Sequence, residues 1–251
     1  MTEKPCTTSI ELQSRLEQVQ QRIALACKAA GRDASEVRLL PVSKTVSTET
    51  LRIAYSAGCR EFGENKIQEA REKSQELADL DIKWSVIGHL QTNKVKYMVR
   101  FAHEFQALDS LKLAAELDKR LQQQGRGMDV FVQINSSAGE SKFGLTPEDA
   151  TDFVRQLQHY SSLQIKGLMT LAVFSPDKQR VRACFIKMQE LQSRLREIAP
   201  DGISLDQLSM GMSGDYELAI EHGATVVRVG TAIFGARSLP DSHYWPGLGQ
   251  A

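Results

Sequence analysis

Lys44 is the residue whose type and position most directly suggest chemistry. It follows the apolar run at residues 39–42 and Ser43, so the stem of its side chain is expected to pack among strands. A lysine partly removed from water has a lowered ammonium pKa, and only the neutral amine attacks an aldehyde to form a Schiff base. The alternative is a strand-end lysine whose ammonium extends into solvent. Taken alone, the position favours that alternative, since structural pairing also perturbs lysines.

Two turns that combine glycine with a hydroxyl change this balance. The segment GMSG at residues 211–214 leads into a helical pattern, and Gly230 with Thr231 opens a second helical turn. Backbone N–H groups at helix N-termini bind phosphate, and glycine lets the anion approach closely. The alternative is that these glycines serve only as turns between helices and strands. Because the two turns follow successive strands, the sequence favours a phosphate site that contains Ser213.

The elements that must position these residues alternate between short apolar runs and longer amphipathic stretches. The runs predict eight strands, at residues 37–43, 60–63, 84–88, 104–108, 130–134, 165–170, 205–210 and 225–229. The stretches predict seven helices, at residues 47–57, 65–77, 92–101, 110–124, 147–160, 178–198 and 215–222, and residues 232–235 begin an eighth.

This alternation predicts an α/β fold, a single (β/α)8 TIM barrel, because eight βα units close such a barrel. The rival is an open doubly wound sheet, which often has a glycine-rich first turn, but no GxGxxG follows the first run. Ahead of the barrel, the capping-box spacing of Thr8 and Glu11 and an apolar stripe predict an extra N-terminal helix over residues 8–31. We expect one domain over residues 1–251, with the barrel at 37–236 and an irregular tail at 237–251.

Closure of the barrel brings the two candidate regions together, since strand eight then lies beside strand one. A phosphate pocket beside a desolvated lysine fits pyridoxal 5′-phosphate (PLP), which carries an aldehyde and a phosphate on one ring. Arg228 lies amid valines on the eighth run and needs a partner. It either forms a structural ion pair or faces the ring. A guanidinium only donates, so at the pyridine nitrogen it would keep that atom unprotonated and weaken carbanion chemistry.

The remaining polar residues suggest less. Asn65 and His89 follow strands but form no triad pattern with a serine or cysteine. His89 is more readily a group that flanks the ligand than a general base. Asp109 and Asp206 show no obvious pairing, so a two-carboxylate glycosidase is not indicated. The four cysteines are scattered, which speaks against a zinc site and indicates reduced thiols.

Composition bears on partners and location. The 31 Lys+Arg residues balance the 31 Asp+Glu residues, so the charge gives no sign of nucleic acid or of an anionic membrane surface. No stretch approaches the roughly 18 to 20 apolar residues that span a bilayer, and the N-terminus lacks the apolar region of a secretory signal. We therefore expect a cytoplasmic protein without nucleic-acid or membrane partners.

Seven segments form an ordered set between residues 41 and 235: PVSKT, FGENKIQE, WSVIGHLQTNK, ESKFG, GLMTLA, LSMGMSGDYELAIEHGAT and VRVGTAIFG. Together they resemble the PLP homeostasis protein family, the YggS-like proteins. The resemblance implies the barrel fold of the N-terminal domain of alanine racemases and a role in vitamin B6 homeostasis.

The resemblance also implies roles for the residues already singled out. Lys44 would hold PLP as a covalent internal aldimine. Ser213, Gly230 and Thr231 would hold the phosphate. Arg228, in a VRVG setting similar to that of the racemases, would contact the pyridine nitrogen.

Four further residues match family positions. Lys142 would face the phenolic side of the ring and assist PLP transfer, Asn65 and His89 would line the pocket, and Met169 would flank the ring. The chain also departs from the family: Val46 stands where members often carry a second lysine, and the tail ARSLPDSHYWPGLGQA has no lysine. Any role of those family lysines in taking up or releasing PLP does not carry over.

Several functions remain open at this point. The first is a monomeric PLP carrier without strong catalysis, with PLP-accepting apo-enzymes as partners. The second is an amino-acid racemase, which by resemblance needs a further all-β domain that supplies a tyrosine; the short stretch after Phe234 leads us to expect none. A Schiff-base aldolase would need a carboxylate or second lysine near Lys44. An interaction protein that uses PLP only for stability is the fourth.

Overall fold

The computed structural model describes residues 8–137 and 143–236, beginning with helix α1 (Ser9–Ala29). This helix starts where the sequence predicts, because the Thr8 hydroxyl accepts a hydrogen bond from the Glu11 N–H at 3.2 Å. The predicted apolar stripe is buried, with Leu12 and Cys27 fully removed from solvent. The predicted N-terminal helix is therefore confirmed over its described residues.

Within the described residues, eight parallel strands form one sheet. They are β1 (Arg38–Pro41), β2 (Glu61–Glu64), β3 (Lys83–Val86), β4 (Ala102–Leu108), β5 (Met128–Ile134), β6 (Leu163–Thr170), β7 (Gln207–Ser209) and β8 (Val226–Val229). Their order in the sheet is β1-β8-β7-β6-β5-β4-β3-β2. Each strand overlaps one predicted run, which confirms the predicted strand count and the alternation.

The sheet closes on itself at β1. On one side β1 pairs with β8 in parallel, with Leu40 opposite Arg228. On the other side Val42 forms a parallel bridge with Gly63, and the Ser43 N–H donates to the Gly63 carbonyl at 2.9 Å. Because β1 is hydrogen-bonded on both sides, the fold is the predicted barrel and the open doubly wound sheet is excluded.

A helix follows each strand. These helices are α2 (Thr48–Ser56), α3 (Ile67–Glu76), α4 (Val95–Met98), α5 (Leu111–Gln122), α6 (Ala150–Leu157), α7 (Lys178–Ile198), α8 (Tyr216–Glu221) and α9 (Thr231–Phe234). The predicted helix at 92–101 is wrong in part, since a 3-10 turn precedes the short α4. The predicted helix at 147–160 starts late because the Thr146 hydroxyl closes a turn onto Asp149. Among the described helices, none is both long and apolar enough to cross a membrane.

Helix α1 and the segment that follows it contact both ends of α8, the helix after the glycine-rich 211–214 segment. Arg22 forms a two-pronged ion pair with Glu217, with N···O distances of 2.8 and 3.0 Å. Arg32 donates from Nη1 to the carbonyls of Ile220 at 2.9 Å and Ala224 at 2.8 Å, which satisfies carbonyls at the C-terminal end of α8. The extra helix is thus part of the barrel's packing and supports the loops at its rim.

The packing of α1 yields a stability prediction. We expect Leu12→Ala to lower the free energy of unfolding by about 2–5 kcal/mol, because it leaves a cavity at a fully buried position. Leu25 lies on the same helix but is 60% exposed, so Leu25→Ala is the control and should change stability by less than about 0.5 kcal/mol. Denaturant unfolding measures both; equal effects would mean that α1 is not packed as described.

Candidate functional site

The carboxyl ends of the strands bring most of the predicted site residues to one end of the barrel. The residues that follow strand ends are Lys44, Asn65, His89, Ser213, Gly230 and Thr231. Arg228 and Met169 lie within β8 and β6. Lys142 lies outside the described residues, and its role stays a prediction. Because all eight described strands are parallel, their carboxyl ends share one rim, the usual place of active sites in such barrels.

Lys44 lies in a tight turn that ends β1. The Ser43 carbonyl accepts a hydrogen bond from the Val46 N–H at 3.0 Å, so Lys44 is the second residue of that turn. Thr45, the third residue, has a φ of 66°, a left-handed conformation that costs about 1–2 kcal/mol in a residue other than glycine. Lys44 is only 7% exposed. The alternative in which its side chain extends into solvent is therefore wrong.

Glu64, the last residue of β2, is fully buried behind this turn. Its Oε1 accepts hydrogen bonds from the Ser43 hydroxyl at 2.6 Å and from the Lys73 ammonium at 2.8 Å. Its Oε2 is without a partner among the described residues. Burial raises the pKa of Glu64 to about 7, although the Lys73 charge acts in the opposite direction. A carboxyl group with a pKa near 7 therefore contacts the Lys44 turn directly, through the Ser43 hydroxyl.

Neither Glu64 nor Lys73 is among the site residues predicted from the sequence. Glu69 and Lys73 are four residues apart on α3, a spacing typical of ion pairs on exposed helix faces. One signal was present, since Lys73 continues the three-residue spacing of Ile67 and Ala70, and these are the buried positions of α3. A lysine on the buried face of an amphipathic helix needs acceptors inside the protein.

Arg228 is buried inside the barrel and is held by neutral groups. Its Nη1 donates to the Ser209 hydroxyl at 2.6 Å, and its Nη2 donates to the Thr170 carbonyl at 2.7 Å. No carboxylate of the described chain lies within ion-pair distance of it. Burial lowers the pKa of Arg228 to about 10, and the charge of Asp215 acts in the opposite direction. Arg228 therefore remains charged at neutral pH without a direct counter-ion, which argues against the structural ion pair.

A chain of hydrogen bonds continues from Arg228 along the barrel interior. The Ser209 hydroxyl donates to Gln106 Oε1 at 2.6 Å, and Gln106 Nε2 donates to Glu104 Oε1 at 2.6 Å. At the far end, Arg38 Nη2 donates to Glu104 Oε2 at 2.6 Å. All donors between Arg228 and Glu104 point the same way, so Ser209 presents its oxygen to the guanidinium. This chain fixes the position of Arg228 through side chains that the sequence did not single out.

The turns after β7 and β8 meet at Ser213. Its hydroxyl oxygen accepts hydrogen bonds from the N–H groups of Gly230 at 3.2 Å and Ala232 at 3.5 Å, next to Thr231. Two backbone donors therefore converge on one oxygen position at the rim. A side-chain carbon on Gly230 would lie only 3.1 Å from the Val42 carbonyl oxygen. Glycine lets this turn pack against the end of β1, two residues before Lys44.

Asp215 and Gly211 shape the same loop. The Asp215 carboxylate accepts a hydrogen bond from the Met212 N–H at 2.6 Å, which closes the loop over Ser213. Gly211 has a φ of 92°, and a side-chain carbon there would come within 2.7 Å of the Ala219 side chain. Burial raises the pKa of Asp215, and the charge of Arg228 opposes this shift.

Asn65 and His89 lie on neighbouring strand ends. A side-chain carbon on Gly88 would lie 2.2 Å from the Asn65 carbonyl oxygen, so these two loops touch through backbone. The His89 ring stacks on Phe143, with 4.3 Å between ring centroids. Its Nδ1 lies 3.8 Å from an Asp109 oxygen, beyond hydrogen-bond distance. His89 is therefore a partly exposed residue packed on Phe143, and its place in a ligand pocket stays a prediction.

Met169 is fully buried in the strand that precedes β7 in the sheet. It is in register with Ser209, so both side chains point to the same side of the sheet, into the barrel. Its predicted contact with a ligand ring stays a prediction.

The residues present fit a ligand with an aldehyde and a phosphate. A buried lysine ends β1, two converging amide donors lie across the β1–β8 junction, and a charged arginine is held beneath them. In a low-dielectric setting, such fixed donors suit an anion. Phosphate is also the group that backbone donors at turns commonly bind.

Comparison with known proteins agrees with this assignment. Residues 14–238 match the family model described as "Alanine racemase, N-terminal domain". The chain is 40% identical to the pyridoxal phosphate homeostasis protein of Aquifex aeolicus over 223 residues, 89% of this chain and 97% of the relative. It is 40% identical to the protein of that name from Pseudomonas aeruginosa over 222 residues, 88% and 94% of the two chains.

Solved structures give the same result. PipY of Synechococcus elongatus with PLP bound superposes with a TM-score of 0.80 at 34% identity, covering 89% of this chain and 100% of PipY. An alanine racemase from Streptomyces lavendulae shares only the fold, with a TM-score of 0.70 at 14% identity over 93% of this chain and 59% of the racemase. The chain therefore belongs to the pyridoxal phosphate homeostasis protein family, whose barrel is that of the alanine racemase N-terminal domain.

Proposed function

We propose that this protein binds PLP at the carboxyl rim of its barrel and serves PLP homeostasis without strong catalysis. The observation that carries the proposal is the junction of β1 and β8. There the buried Lys44 lies two residues beyond Val42, against whose carbonyl the Gly230 turn packs. The name shared by the relatives and the PLP bound in PipY support the same ligand.

Each residue near the junction has a proposed part. Bound PLP would supply an aldehyde, and Lys44 would hold it covalently through its amine with loss of one water. Ser213, Gly230 and Thr231 hold the phosphate through a hydroxyl and backbone N–H groups. Arg228 donates to the pyridine nitrogen, in the position that the Ser209 hydrogen bond gives it.

The outer residues form the proposed walls of the pocket. Asn65 and His89 would line the side at β2 and β3, Met169 would flank the ring, and Lys142 would face the phenolic oxygen. Lys142 directly precedes Phe143, whose ring stacks on His89. That contact supports a pocket wall built jointly from the loops after β3 and β5.

Two features support the proposal of weak catalysis: the charged Arg228 guanidinium and the positions of the described tyrosines. Arg228 only donates hydrogen bonds, so it keeps a ring nitrogen opposite it unprotonated and limits carbanion stabilisation. A racemase also needs a second acid/base on the opposite face of the substrate. The four tyrosines of the described chain do not supply it at the rim: Tyr55 and Tyr97 lie on outer helices, Tyr160 follows α6, and Tyr216 is buried.

The cellular setting is also part of the proposal. We propose a cytoplasmic, monomeric protein that passes PLP to apo-enzymes. Cys27, Cys59 and Cys184 are free and buried, which is typical of proteins in a reducing compartment. Burial raises the pKa of Cys59 to about 11, so that thiol stays protonated and unreactive.

The attachment of PLP can be tested at Lys44. We expect Lys44→Ala to abolish the yellow Schiff-base absorbance of purified protein incubated with PLP, because the other buried ammonium near the end of β1, that of Lys73, is bound to Ser43, Glu64 and Glu69. Borohydride reduction followed by peptide mass spectrometry should place the adduct on Lys44 in the natural protein. An adduct on another lysine in the natural protein would refute the assignment.

The phosphate contacts make a second prediction. Replacing Ser213 and Thr231 together by alanine should weaken PLP binding by about tenfold or more, since hydrogen bonds to charged groups are worth about 1.5–3 kcal/mol each. Ser74→Ala, which removes an exposed hydroxyl on α3, is the control. Equilibrium dialysis measures the affinity, and an unchanged value would place the phosphate elsewhere.

Catalysis can be tested directly as well. We expect no racemisation of L- or D-alanine above the rate given by free PLP, because none of the tyrosines among the described residues is exposed at the rim to serve as the second acid/base. Chiral chromatography of long incubations measures this rate. Turnover that is robust and lost in Lys44→Ala would overturn the carrier proposal in favour of a racemase.

A further inference from the structure

Three ionisable side chains behind the Lys44 turn have no part in the function proposed above. They are Glu64 on β2 and Glu69 and Lys73 on α3. The Glu64 side chain is fully buried, and the Lys73 side chain is only 8% exposed. A buried ion pair is weak evidence of a gain in stability, because desolvation of both charges offsets their attraction. The geometry of this cluster therefore calls for another role.

Lys73 uses all of its donors in this cluster. Its Nζ donates to the Ser43 carbonyl at 2.7 Å, to Glu64 Oε1 at 2.8 Å and to Glu69 Oε1 at 2.7 Å. An ammonium carries three N–H groups, so each has one acceptor. Because these acceptors come from the end of β1, from β2 and from α3, the ammonium joins three elements at one point.

Glu69 extends this connection to the other side of Lys44. The same Oε1 that accepts from Lys73 also accepts the Thr45 N–H at 2.6 Å. The residue before Lys44 and the residue after it are therefore bound, through main-chain atoms, to one ion pair. Thr45 is also the residue with the positive φ, and its bond to a carboxylate favours that conformation over relaxed alternatives.

We propose that Lys73 and Glu69 are positioning residues for Lys44, holding the Ser43–Val46 turn so that the Lys44 amine is directed at the ligand's aldehyde. They act on the backbone at both sides of Lys44 and do not contact the ligand. The identity of the ligand rests on the proposed function, whereas the hold on the turn does not. Attack on an aldehyde requires a near-ideal approach, so a loosened turn should impair bond formation more than ligand binding.

The test compares Lys73→Met and Glu69→Ala with Asp79→Asn. Asp79 forms an exposed ion pair with Arg52 of α2, at 2.6 and 2.8 Å. The control thus removes a charged link between α2 and the segment after α3 without touching the Lys44 turn. Glu69→Ala keeps the experiment informative if Lys73→Met fails to fold, since the Glu69 side chain is 25% exposed and its removal takes away the acceptor of the Thr45 N–H.

Two measurements decide the outcome. In the apoprotein, amide hydrogen exchange at Thr45 and Val46 should accelerate by about tenfold or more in the test variants and stay unchanged in Asp79→Asn. In the second measurement, the dissociation constant for PLP should rise by about tenfold, while that for 4′-deoxypyridoxine 5′-phosphate, which lacks the aldehyde, should change less than about twofold.

Unchanged exchange at Thr45 and Val46 would overturn the proposal, and so would an equal loss of affinity for both ligands, which indicates damage to the whole pocket. The exchange measurement needs no ligand. If natural protein shows no adduct on Lys44, the proposed function fails, while the exchange result still decides whether Lys73 and Glu69 hold the turn.

Discussion

The pairing of β8 with β1 is the contact on which the candidate site depends. This pairing brings two distant parts of the chain, residues 43–45 and 211–231, together at the candidate site. The register sets Leu40 opposite Arg228, and the Gly230 turn then packs on the Val42 carbonyl. A side-chain carbon at position 230 would require this turn or the Val42 carbonyl to shift by a few tenths of an ångström.

Two polar systems fix the functional side chains around that contact, and they work differently. The lysine turn is held from behind by the Lys73–Glu69 pair, which binds its backbone. Arg228 instead donates to the Ser209 oxygen, and the Ser209 hydroxyl donates its own hydrogen to Gln106. In both cases the group that would meet a ligand is oriented by partners that the ligand does not touch. Such pre-organisation lowers the conformational entropy that these side chains lose when a ligand binds.

The strands could be predicted well from the sequence, because few folds other than an α/β fold fit apolar runs that alternate with amphipathic stretches. The sequence placed Lys44 and the glycine turns at strand ends, and the barrel rule brought them to one rim. The clusters that orient them escaped prediction. Glu104, Gln106 and Ser209 are polar residues in strands, and only the closed barrel shows that they point inward and meet. Lys73 shares the buried spacing of α3, but its four-residue spacing from Glu69 is also typical of an exposed ion pair, and its acceptor at Ser43 is distant in sequence.

In the hydrogen-bond chain from Arg228 to Glu104, every donor points the same way, and this limits which substitutions the barrel tolerates. Removing the Ser209 hydroxyl alone strands a donor on the arginine and an acceptor on Gln106, both away from water. Reversing one link would require reversing the next. Positions 104, 106, 209 and 228 thus form one hydrogen-bonded unit that spans the barrel, so a substitution near Glu104 is expected to disturb Arg228 as well.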